Sequence, residues 1–160
     1  MASLRRMTEA EYATWLAAAI PAYAADKVES GQWSAAAAPD LSKAEYQELL
    51  PQGLATPDHH LYTIEDDHAA PVGVLWFAVQ TLFDARIAYV YDVSVVPHRQ
   101  REGHALQAFQ ALEEEVRRLG LAGIALHVFG HNKGARALYE KLGFEPTNIS
   151  LFKAVGEPDA

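Results

Sequence analysis

Residues 86–129 restrict the fold more than any other part of the chain. "RIAYVYDVSVV" (86–96) is rich in β-branched and aromatic residues and reads as a strand. From about 102 to 119, Ala105, Leu106, Phe109, Leu112, Val116 and Leu119 recur at helical spacing, and "LAGIALHVF" (121–129) is a further strand. Strand, helix and strand joined this closely form a β-α-β unit, which requires a parallel pair and a right-handed crossover. Upstream, "HLYTIED" (60–66) and "VGVLWFAV" (72–79) are separated from each other and from 86–96 by short turns only. Links of that length join antiparallel neighbours, not parallel ones. The chain therefore reads as α/β, with a mixed sheet that is largely antiparallel. Its 160 residues, half of them apolar, suit one domain with a single core.

The first third reads as helical. Thr8 and Glu11 form a capping box, and Tyr12, Trp15, Leu16, Ala19 and Ile20 share one stripe. Pro21 either kinks this helix or begins another that stops near Gly31. Ser42 and Glu45 predict a second capping box, opening a short helix that ends at Pro51. On the 102–119 helix, Glu113 with Arg117 and Glu114 with Arg118 are spaced as ion pairs. "NKGARALYEKLGF" (132–144) carries a short helix, and "ISLFKAV" (149–155) is expected to close the sheet.

Composition removes several function classes. Without cysteine there is no disulfide, no thiolate catalysis and no cysteine zinc site. The seven histidines show no i,i+4 pair on a convincing helix, so no metal is expected. A net charge of −8 argues against nucleic acid and, where it bears on partners, favours a cationic one. No run is long enough to span a bilayer and no signal peptide is evident, so a cytoplasmic protein is expected, with no membrane partner.

"VVPHRQREGHAL" (95–106) is where chemistry enters. A strand ends in proline, and a polar turn with one glycine opens a helix. The first turn of a helix has N–H groups without partners and a partial positive charge, a ready seat for phosphate. Gly103 lets an anion approach the backbone, Ala105 is the next smallest choice, and Gln100 and Arg101 add donors. The plainer reading is that a strand must turn into a helix somehow.

"QREGHA" (100–105) matches Q/R-x-x-G-x-G/A, and this stretch resembles the pyrophosphate loop of the GNAT superfamily of N-acetyltransferases. "LHVFGHNKGARALYEKLGF" (126–144) is similar to that superfamily's second signature, in which Asn, a small residue, Tyr and Gly-Phe recur at this spacing. The resemblance covers about residues 60–153. It implies a GNAT fold, with the sheet splayed between strands 4 and 5 and flanked by helices. It also implies one domain over 1–160, in which 60–153 binds acetyl-CoA and the helical 1–56 lies on the acceptor side. Acetyl would pass from acetyl-CoA to a primary amine by direct attack in a ternary complex. The acceptor is a small amine or amino acid, or a protein N-terminus or lysine. A non-catalytic acyl-CoA-binding sensor or interaction module is the alternative, and many relatives are homodimers.

By the same resemblance, the backbone at Val93 and Val95 would pair with the pantetheine arm like an added strand. Gln100, Arg101, Glu102, Gly103, His104, Ala105 and Leu106 would cradle the pyrophosphate. Asn132 would bond the pantetheine, with Ala135 giving it room, and Tyr139 would be the general acid. Asn132 also suits a helix N-cap, and Tyr139 shares a core stripe with Ala135, Leu138 and Leu142. His127 occupies the slot where relatives acting on protein N-termini keep a glutamate base, and its ordinary pKa suits that task. Asp92, which interrupts an apolar strand, is its rival as base or as anchor for a cationic substrate. Each is also readable as a strand-face residue with a local partner, and a bulge in that strand would change the facing.

Overall fold

The computed structural model describes residues 2–82 and 84–156. Strands β1 (Ser3–Arg6), β2 (His59–Glu65), β3 (Pro71–Leu82), β4 (Ala85–Val95) and β5 (Ile124–Leu126) lie in that order in one sheet. The first three pairings are antiparallel and β4–β5 is parallel, as the β-α-β unit requires. Helices α1 (Glu9–Glu29) and α2 (Ala38–Leu49) cover one face, and α3 (His104–Arg118) and α4 (Lys133–Lys141) the other.

Alternation along β3 builds both cores. Leu75, Phe77 and Val79 point towards α3, meeting Ala108, Phe109, Leu112 and Val116. Val74 and Trp76 point the other way, meeting Trp15 of α1 and Tyr46 of α2. Trp15 and Trp76 pack edge to face, with centroids 5.4 Å apart.

Helix α1 starts where its capping box predicts. The Glu11 N–H donates to Thr8 Oγ1 (3.2 Å), and the Thr8 N–H to Glu11 Oε1 (2.9 Å). It then runs unbroken through Pro21 instead of yielding to a second helix. Ser42 is no cap. Helix α2 begins earlier, at Ala38, with Pro39 in its first turn. Ser42 is fully buried, and its hydroxyl donates to the Ile20 carbonyl of α1 at 2.7 Å.

Four further expectations are corrected. The first third contains β1, whose backbone pairs with β2 and whose Arg5 bonds Glu65 and Glu11. Strand β5 has three residues, not nine. Residues 149–155 form no strand, and Ile149, Leu151, Phe152 and Val155 are 73 to 93 % exposed. On α3, Arg117 lies near Glu113 and Glu114, but Arg118 pairs with Glu115, one helical step from the expected Glu114.

Candidate active site

Strand β4 carries a bulge opposite Trp76 and Phe77. Trp76 faces Asp92 and Phe77 faces Val90, so Tyr91 is the extra residue. The slip turns two consecutive side chains to the α1–α2 face. Tyr91 stacks on Trp76 (4.6 Å between centroids), and Asp92 Oδ2 accepts from Trp15 Nε1 at 2.8 Å. Val93 returns to the α3 face. Burial raises the Asp92 pKa, against the lowering effects of the Trp15 bond and the Val93 N–H.

The same strand outruns its parallel neighbour. Pairing with β5 ends at Val90 opposite Leu126, whereas β4 continues to Val95. From Tyr91 to Val95 the β5 side of the backbone faces an opening in the sheet, as the expected splay requires. Gln100 Nε2 reaches back to the Val95 carbonyl at 3.0 Å.

Beyond Val95 the chain makes a 3-10 turn over Pro97–Arg99 and enters α3 through two left-handed residues, Arg101 (φ 65°) and Gly103 (φ 86°). The first helical bond runs from the Gln107 N–H to the Gly103 carbonyl (3.1 Å). The N–H groups of His104, Ala105 and Leu106 are therefore left without helical acceptors. A Cβ built on Gly103 would meet nothing within 4 Å, so packing does not exclude a side chain there. What demands glycine at 103 is its backbone angle.

Two side chains of the loop are engaged within it. Glu102 accepts from Arg99 Nε at 3.0 Å and lies 3.0 Å from His104 Nε2. His104 itself is buried, and Arg99 reaches on to Asp66, in the β2–β3 turn, at 3.0 Å. Glu102 and His104 thus offer an anion only their backbone, while the Arg101 side chain is exposed. Arg99 had no signal in the sequence beyond its position beside the loop, yet it ties that loop to the rest of the sheet.

Asn132 caps α4, its Oδ1 accepting from the Ala135 N–H at 3.2 Å. The plainer reading of Asn132 therefore holds, and its amide nitrogen is left for other partners. The Tyr139 ring packs edge-on against Phe109 and Phe144, each at 5.6 Å, on the α3 core. Burial, and then the Asp92 charge, push the Tyr139 pKa up to about 12, so the hydroxyl keeps its proton.

His127 follows β5 directly and stands edge-on to Phe129 (5.1 Å, 87°). Partial burial, and then the charge of Lys27, hold its pKa below the ordinary histidine value, so it is neutral at pH 7. Lys27, in the last turn of α1, lies 5.5 Å from the Tyr23 ring centroid and 5.2 Å from that of Trp33. Beside it, His131 Nε2 sits 3.2 Å from Asp26 and 3.4 Å from Glu29, joining α1 to the segment before α4. These aromatic and acidic groups come from segments a hundred residues apart, and sequence spacing could not assemble them. Together the parts are a glycine turn at a helix mouth, a strand edge that its parallel neighbour leaves uncovered, and a tyrosine and a histidine on the elements that follow.

The sequence and the fold both have relatives. Residues 15–144 match the family model described as the acetyltransferase (GNAT) family. The chain is 36 % identical to the uncharacterized N-acetyltransferase YycN of Bacillus subtilis over 150 residues, 94 % of this chain and 96 % of that one. It is 32 % identical to YdgE of the same organism, an uncharacterized N-acetyltransferase, over 94 % and 96 % of the two chains. The crystal structure of YycN superposes with a TM-score of 0.93 over 98 % of this chain and 100 % of that one. AAC(6')-Iy, solved with a bisubstrate analogue of CoA and acetylneamine, shares the fold at a TM-score of 0.61 and 16 % identity, over 96 % and 97 % of the two chains. By sequence and by fold, the chain belongs to the GNAT family of acetyltransferases.

Proposed function

We propose that the protein transfers an acetyl group from acetyl-CoA to a primary amine by direct attack, without a covalent enzyme intermediate. One observation carries the reading: β4 outruns β5 and leads into a loop with two left-handed residues at the mouth of α3. The residues of that loop fit a pyrophosphate: the first N–H groups of α3 have no helical acceptors, and nothing stands within 4 Å of a Cβ built on Gly103. Gln100 to Leu106 would hold the pyrophosphate, the β4 edge at Val93 and the Val95 N–H the pantetheine arm, the Val95 carbonyl being taken by Gln100, and the Asn132 amide its far end, beside Ala135. When bound, acetyl-CoA supplies an activated acyl carbon as a thioester.

The chain's own residues do the rest. Asp92, held on the acceptor face by Trp15 among Tyr46, Trp76 and Tyr91, draws a cationic amine into an aromatic site. His127, neutral at pH 7, accepts the proton that the ammonium must lose before it can attack. A β4 N–H near Val95 steadies the oxyanion. The Tyr139 hydroxyl, its pKa raised to about 12, donates to the leaving sulfur.

Calorimetric titration with acetyl-CoA, CoA and ATP tests the seat. Acetyl-CoA and CoA are expected to bind and ATP not to compete with them. Gly103→Glu, which puts a side chain and an acid at a φ of 86°, is expected to abolish binding while the fold persists by circular dichroism. A folded wild-type protein that binds neither acetyl-CoA nor CoA sinks the reading.

A further inference from the structure

We propose that Lys27 is itself an acetyl acceptor, modified in cis by acetyl-CoA bound to the same molecule. This rests on the acetyltransferase reading above and adds a substrate to it. A primary amine stands in the last turn of α1, on the helical side that the proposed function gives to the acceptor. Lys27 Nζ lies over the Tyr23 and Trp33 rings and donates to Gln32 Oε1 at 2.9 Å. Tyr23 touches Phe129 (6.3 Å), and Phe129 stands against His127 (5.1 Å). The ammonium thus sits at one end of a short aromatic row whose other end is the proposed base. Its charge is felt there, as the second cause lowering the His127 pKa.

The way Lys27 is held matters as much as where. No carboxylate pairs with it among the described residues, although Asp26 and Glu29 flank it on the same helix. Both of those are turned to His131. An ammonium held by aromatic faces and one amide oxygen is steered without being locked in an ion pair, and a four-carbon stem lets it swing. Lys43, exposed on α2, has no such setting.

The transfer balances. The Lys27 ammonium gives one proton to His127, which passes it to solvent. The neutral nitrogen bonds to the thioester carbonyl carbon, the carbon–sulfur bond breaks, and the second nitrogen proton goes to the departing thiolate. The products are N-acetyl-lysine at position 27, CoA thiol and one released proton.

The test is peptide mapping of the purified full-length chain during incubation with acetyl-CoA, with acetyl-CoA binding measured on the same preparation. Lys27 is expected to acetylate at least about tenfold faster than Lys43, because a tethered nucleophile acts at high effective concentration. The rate is expected to be independent of protein concentration, and His127→Ala should slow Lys27 but not Lys43. Acetylation of Lys27 at the Lys43 rate, with acetyl-CoA bound, overturns this proposal and leaves the transferase reading intact. A Lys27 rate that climbs with protein concentration overturns the transfer in cis. Absence of acetyl-CoA binding overturns both readings together.

Discussion

Asp92 is an acid whose surroundings oppose its ionisation. A carboxyl whose pKa is raised by folding stabilises the fold fully below its ordinary value of 3.8, and that contribution is lost as pH rises through the raised value. Glu11 and Asp66 run the other way. Bonds to Arg5 hold Glu11 at about 2, and the Ala70 N–H and then Arg99 hold Asp66 at about 2, so their contributions fade only as pH falls towards that value. Asp92→Asn isolates the first effect, since asparagine stays neutral and its oxygen can still accept from Trp15. We expect this variant to melt at or above the wild type at about pH 7, with the advantage gone by about pH 4. Its acceptor KM should rise while kcat changes little, whereas His127→Ala should lower kcat by about 10²-fold or more. Melting and steady-state kinetics across pH check both, and a large loss of stability in Asp92→Asn at pH 7 would mean that the carboxylate is paired. The sequence exposed Asp92 because a charge interrupted an apolar strand. Its partner Trp15 lies 77 positions away and was legible only as one member of a helical stripe.

At the scale of elements, the loop before α3 is tied down by its neighbours. It has two left-handed residues, and one of them is an arginine, a strained choice without glycine's freedom. Arg99 restrains that geometry by bridging Glu102 and Asp66, linking the loop to the β2–β3 turn. Asp66 is anchored in turn by the N–H groups of His68 and Ala70, each at 2.9 Å. Arg99→Ala should therefore weaken acetyl-CoA binding by up to about 10²-fold, as small displacements of positioned groups do, with the acceptor KM unchanged. Titration of acetyl-CoA checks this, and unchanged affinity would mean that the loop holds its shape alone. Glycine, proline and helical periodicity made this loop and α3 legible in advance. The Ser42–Glu45 spacing misled because Pro39 had already opened α2, leaving the serine inside the helix where it bonds α1 instead. Strand β1 was invisible because its polar "SLRR" has no alternation, and it is specified by pairing with β2.

The whole molecule sets its two faces to different tasks. The α3–α4 side is a continuous apolar core, while the α1–α2 side mixes aromatic rings with the buried carboxyl of Asp92. The bulge at Tyr91 and the early end of β5 fall on the strand that both environments share, which is where the proposed function would bring cofactor and acceptor together. The mixed sheet was legible because strand spacing and the crossover leave few topologies. The end of the chain was not, because strand composition in "ISLFKAV" records a preference for pairing and supplies no partner. Its large apolar side chains stand 73 to 93 % exposed in a segment without regular structure. A backbone outside any ladder meets a protease before one that must unfold first. Brief digestion with chymotrypsin should thus cut first within 149–155, ahead of any site in α3, and mass spectrometry identifies the cut. Because those residues bury little, the trimmed chain should differ in stability by no more than about 0.5 kcal/mol. Resistance of 149–155 while α3 is cleaved would mean that the segment is covered in solution, and its alternating apolar residues would then be paired.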